Sequence, residues 1–161
     1  MNERVTDLLR EARERLVDAP RERIGDLQEG RRLLGIPRPS RIAPRGSAWH
    51  LGVLLLTDGD VLATGDIVRA RAEVRRGFAA ESQRRRAELA AAAARGGVPE
   101  GETVHIGWRV LDLDALDARS APLAVRDGEV LVRWSTAGGY MPLARYLDER
   151  IELLRHPPER A

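Results

Sequence analysis

The chain has 161 residues, 43% hydrophobic and 32% charged, with no cysteine and with arginine at all 27 basic positions. That length suits one ordinary domain able to bury a core without disulfides or metal. The composition excludes a disordered chain, a disulfide framework, a thiolate nucleophile, a Schiff-base lysine and the lysine of a phosphate-binding P-loop.

No apolar run approaches the roughly 18 residues that mark a membrane-spanning helix. The charged, helix-patterned start lacks the apolar centre of a signal peptide, so a bacterial cytoplasm is the expected compartment. Arginine without lysine is what the codons of a GC-rich genome produce. The net charge of +2 hides a segregation: residues 1–30 carry −2, residues 31–95 carry +7 and residues 96–161 carry −3. The positive middle is a candidate polyanion surface; the alternative is that its arginines pair with the acidic flanks.

In chain order, Val5, Leu8, Leu9, Ala12 and Leu16 follow the spacing of an amphipathic helix. Ala19-Pro20 ends it, and Pro20 suits the first turn of a second helix carrying Ile24, Leu27, Leu33 and Leu34. Residues 35–41 read as a rigid linker. Two apolar runs, Trp49–Leu56 and Val61–Val68, flank Asp58-Gly59, and Leu123–Val125 and Val130–Trp134 flank Asp127-Gly128. An Asp-Gly pair suits a two-residue type I′ turn, so two β-hairpins are predicted. A helix is expected over residues 79–95, stopped by Gly96-Gly97. A strand over Thr103–Leu111 would alternate Val104, Ile106, Trp108 and Val110 with Thr103, His105, Gly107 and Arg109. A last helix over Pro142–Leu154 buries Leu143, Leu147, Ile151 and Leu154.

The chemistry-bearing residues are few. The loop Ser135-Thr136-Ala137-Gly138-Gly139-Tyr140 is read as joining a strand to the last helix. There, glycine N–H groups, the helix N-terminus and the Ser135 and Thr136 hydroxyls would cradle a phosphate or carboxylate. The alternative is a simple chain reversal. His50, His105 and Arg109, on predicted strands, complete the ligand-binding candidates. His50 and His105 would be neighbours if their strands pair, with Asp112, Asp114, Asp58 or Asp60 as further ligands for a metal. No spacing typical of a metal helix exists, so two hydrogen-bonded histidines on a half-exposed sheet are preferred, and no metal or cofactor is expected. His156 reads as solvated, and Asp112, Asp114 and Asp117 as caps of a short helical turn. Ser47 and His50 lie three apart on a strand and point to opposite faces, and Ser135 lacks a nucleophile elbow.

Arg31, Arg32, Arg38, Arg41 and Arg45 have no acid among them, and Arg69, Arg71, Arg75 and Arg76 have only Glu73. These could contact nucleic-acid phosphates. Arg84, Arg85 and Arg86 spread round a helix and cannot all face one partner. The six aromatic residues are few for stacking on single strands, and Trp49, Trp108 and Trp134 read as core.

The run from Gly46 to Leu55, Glu100-Gly101-Glu102-Thr103-Val104, Arg126-Asp127-Gly128 and the Leu147–Leu154 helix resemble a family of short bacterial proteins, some of which carry the label glutaminase. The resemblance covers most of the chain and implies amide hydrolysis. It rests on structural residues: the chain has neither the lysine of a Ser-x-x-Lys site nor the cysteine of the amidotransferase class, so no active-site residue carries over.

The expectation is a single α+β domain with an antiparallel sheet of about five strands and helices mainly on one face. Its expected role is a small, soluble, non-enzymatic binding or interaction domain for an anionic small molecule or a protein partner, without a membrane. One alternative is an amide hydrolase in which Ser47, His50, Ser135 and His105 converge. The other is a nucleic-acid binder using the arginine-rich middle.

Overall fold

The computed structural model describes residues 3–30, 32–72 and 80–159, with Arg32, Leu33 and Ala118 described by backbone alone. The chain is α+β and resolves into two compact units interleaved in sequence. The first holds Met1–Arg21, Ala48–Thr64 and Arg109–Ala161; the second holds Glu22–Ser47 and Gly65–Trp108.

The elements are α1 (Glu3–Arg15), β1 (Glu22–Gln28), β2 (Arg32–Leu33), β3 (Ile36–Pro37), β4 (Arg41–Leu51), β5 (Leu54–Leu56), β6 (Val61–Ala63) and β7 (Asp66–Arg69). They continue with α2 (Glu81–Arg95), β8 (Thr103–Ile106), β9 (Arg109–Val110), a 3₁₀ turn (Ala118–Ser120), β10 (Leu123–Arg126), β11 (Glu129–Arg133), β12 (Tyr140–Pro142) and α3 (Leu143–Arg155).

In the first unit the end of β4 pairs antiparallel with β5, β5 with β6 and β6 with β9. A separate antiparallel sheet runs β10-β11-β12. The predicted stripe of α1 is buried at Val5, Leu9 and Ala12, with Leu16 just beyond the helix. It joins Trp49, Leu54, Leu56, Val132, Leu143, Leu147 and Ile151 in one core. Tyr146 locks α3 to the β4–β5 turn: its hydroxyl donates to the Leu51 carbonyl and accepts the Val53 N–H, both at 2.8 Å.

That turn corrects the reading of Trp49–Leu56 as one strand. Gly52, at φ +66°, reverses the chain, and Leu51 faces Leu54. A Cβ there would lie 2.2 Å from the Tyr146 hydroxyl, so only glycine fits.

The second unit corrects the all-antiparallel expectation. Its strand order is β7-β8-β1-β4; β7 and β8 are antiparallel, but β1 and β8 run parallel, with Arg23 facing Val104 and Ile24 facing His105. That sheet is therefore mixed, and no five-stranded antiparallel sheet forms among the described residues. β1 also replaces the predicted second helix. Gly25 disfavours a helix interior by about 1 kcal/mol relative to alanine, and it lets β4 approach: a Cβ would meet Ile42 Cγ2 at 2.7 Å and the Ala43 carbonyl at 2.9 Å.

Residues 35–41 hold more than a linker, because Leu34 and Gly35, both at positive φ, form the turn of a small β2–β3 hairpin. α2 forms as expected and packs Leu89, Ala92 and Ala93 against Ile42, Val68, Val104 and Ile106. Gly96 and Gly97 stop it, with N–H bonds back to Ala92, Ala93 and Ala94. The expected strand over Thr103–Leu111 breaks at Gly107, φ +69°, into β8 and β9, which pair in different units.

Candidate functional site

The glycine loop lies in the first unit. β11 ends at Arg133, the chain turns through Ser135–Gly138, and it returns as β12. The Trp134 N–H donates to the Gly139 carbonyl (3.0 Å), the Gly138 N–H to the Ser135 carbonyl (3.1 Å) and the Ala137 N–H to Ser135 Oγ (3.2 Å). The loop is thus a hairpin connection. α3 starts only after β12, at Leu143, so the expectation that its N-terminus joins the loop is corrected. Gly139 has its own reason to be glycine: a Cβ would sit 2.7 Å from the Trp134 ring. Trp134 is 49% exposed, not the core residue its strand pattern predicted, and Trp108 is only half-buried; Trp49 is core as expected.

Around this loop a cleft of about 360 Å³ opens. Val53, Ala63, Ala121 and Pro122 supply apolar lining; Thr64, Ser135 and Thr136 supply hydroxyls; Arg109, Arg133 and Trp134 complete it. Three sequence candidates, Arg109, Ser135 and Thr136, therefore meet here. Gly138 and Gly139 shape the loop without lining the cleft.

Each guanidinium is fixed by backbone carbonyls. Arg133 donates through Nε to Ser135 O (3.2 Å) and through Nη2 to Thr136 O (2.8 Å). Arg109 donates through Nη1 to Arg119 O (3.0 Å) and through Nη2 to Ala121 O (2.9 Å). Carbonyl oxygens orient a guanidinium without neutralising it. Among the described residues neither arginine has a carboxylate partner, and no acidic side chain lines the cleft. Each side chain keeps further N–H donors, since a guanidinium carries five. The arrangement can take an anion at preset donors beside an indole face.

The histidines stand elsewhere. His50, half-buried in the first unit, has Nε2 3.0 Å from the Gly52 carbonyl. His105, in the second unit, is fully buried, which corrects the half-exposed reading, and its Nε2 is 3.4 Å from a Glu22 carboxylate oxygen. His156 is largely solvated beside Glu152. Ser47 and His105 belong to the second unit, and His50 and Ser135 to the first. Of the expected caps, Asp117 caps the 3₁₀ turn in a capping box with Ser120, whereas Asp112 accepts the Asp114 N–H ahead of that turn.

Part of the arginine-rich stretch pairs with acids, as in Arg45–Asp26 and, at 3.8 Å, Arg85–Glu88. Arg31, Glu73, Arg75, Arg76 and Ala79 lie outside the described residues, and of Arg32 only the backbone is described. Arg38, Arg41, Arg84, Arg85 and Arg86 are exposed. Sequence reasoning missed Arg133 and Trp134 as site residues. The signal was their place at the end of a strand directly before the glycine loop, where side chains point over the loop.

No protein-family model, curated protein or solved structure matches this chain.

Proposed function

We propose that the protein is a small binding domain whose first unit takes a compact organic anion, with its carboxylate or phosphate between Arg109 and Arg133 and its apolar part against Pro122 and Trp134. One observation carries the reading. Two guanidiniums, each held by two backbone carbonyls and neither neutralised by a carboxylate among the described residues, line one cleft with two serine or threonine hydroxyls from the adjoining loop. Bonds between a charged donor and an anion are roughly twice as strong as neutral ones. Donors already fixed in place lose little entropy on binding.

A thermal-shift panel of phosphate, pyrophosphate, acetate, citrate, glutamate and glutamine tests it. A ligand present at about 100 times its Kd stabilises by roughly 2.7 kcal/mol, which moves Tm by several degrees in a domain of this size. The expected result is a shift with one or more anions that shrinks as salt rises. A shift with neutral glutamine, together with its turnover to glutamate, would favour the amide-hydrolase reading instead.

A further inference from the structure

A second surface in the other unit is independent of this cleft. A groove of about 1190 Å³ runs between β7 and α2. Its strand wall presents Asp66, Ile67 and Arg69; its helix wall presents Arg85, Arg86 and Leu89; and Arg71 closes one end by donating its N–H to the Ala90 carbonyl.

β7 is an edge strand, paired among the described residues with β8 alone. Its register fixes which backbone groups have no ladder partner among the described residues. The Ala70 N–H bonds Glu102 O, opposite in the ladder, so Ala70 is an inward-bonding position. Antiparallel alternation then makes Val68 and Asp66 inward-bonding as well. Ile67 and Arg69 therefore turn their N–H and C=O groups to the open edge. Ile67 is also 53% exposed, a large apolar side chain beside an unfilled ladder.

The charge is one-sided. Among the described residues four arginines line the groove against one aspartate. Arg69 donates to the Gly101 carbonyl, Arg85 has Glu88 at 3.8 Å, and Arg71 and Arg86 have no acidic partner among the described residues. Among the described residues no aromatic side chain lines the groove, and these residues offer no stacking platform for bases.

We infer that this groove binds an extended acidic peptide, which adds to β7 as a further strand. Main-chain hydrogen bonds to Ile67 and Arg69 supply the pairing, and carboxylates of the peptide meet Arg71, Arg85 and Arg86.

The test is fluorescence anisotropy of the full chain with a fluorescein-labelled peptide alternating glutamate and valine. The same peptide N-methylated at every second residue, and a dT oligonucleotide, serve as competitors. Binding is expected to be saturable, to weaken with salt, to fall about tenfold on N-methylation, and to fall at least as much in the R85E/R86E variant. Both substitutions sit on an exposed helix face, and circular dichroism checks that the variant is folded. R109A/R133A should bind the peptide like the parent chain, which separates this inference from the anion cleft. Equal affinity for the N-methylated peptide would overturn strand addition. No binding by the folded parent chain, or tighter R85E/R86E-sensitive binding of the oligonucleotide, would overturn the peptide itself.

Discussion

The two arginine-lined surfaces use the same side chain in opposite ways. In the first unit, Arg109 and Arg133 are each fastened by two backbone carbonyls. In the second, Arg71, Arg85 and Arg86 stand on a strand end and an open helix face; Glu88 lies 3.8 Å from Arg85, and Arg71 and Arg86 have no acidic partner among the described residues. A fastened guanidinium has already lost its rotamer freedom, so it can hold one small anion in one geometry. A free one keeps that freedom, and it suits an extended partner whose backbone provides the order. Arginine count alone would not separate these uses; the acceptors behind each guanidinium do.

The largest effect should come from removing the fastened pair. R109A/R133A is expected to weaken the best anion of the panel by more than a hundredfold, since hydrogen bonds to charged groups contribute ~1.5–3 kcal/mol each. Titration calorimetry would measure it. A smaller loss, about tenfold, is expected for Arg133→Lys. Lysine keeps the charge but cannot span Ser135 O and Thr136 O with a planar fork. If lysine served as well, orientation by the carbonyls would be irrelevant and the contrast between the surfaces would fail.

The same Asp-Gly dipeptide shows how far the sequence could be read. At Asp127-Gly128 both residues take positive φ, 51° and 77°, and Arg126 faces Glu129, as a two-residue type I′ turn requires. At Asp58-Gly59 neither does. Thr57 Oγ1 instead accepts the Asp60 and Gly59 N–H groups, while the Thr57 N–H donates to the Asp60 carbonyl at 3.0 Å. There Arg21 also hydrogen-bonds Asp58, which lowers its carboxyl pKa, and stacks 3.8 Å from the Trp49 ring centroid. Those partners are distant in sequence and carry no local signal.

α1, α2 and α3 were legible because their apolar spacing and stops are local. β1 was not, because Ile24 and Leu27 fit a helical face, while the parallel partner that makes the segment a strand lies some eighty residues away at Val104 and His105. Half of the candidate site was legible for a similar reason. The Ser135-Thr136 loop announces itself by composition. That Arg109 arrives beside Arg133 depends on the break at Gly107 and on where β9 pairs, which only the fold supplies.

The most direct test of the cleft is an arginine Nε–Hε correlation spectrum of the ¹⁵N-labelled protein, titrated with the anion that gives the largest thermal shift. The Arg133 and Arg109 resonances, assigned by their loss in the single alanine variants, are expected to move together with the Trp134 indole resonance and to saturate at one common Kd. Saturable movement confined to other arginines, with these three unmoved, would contradict binding in the cleft.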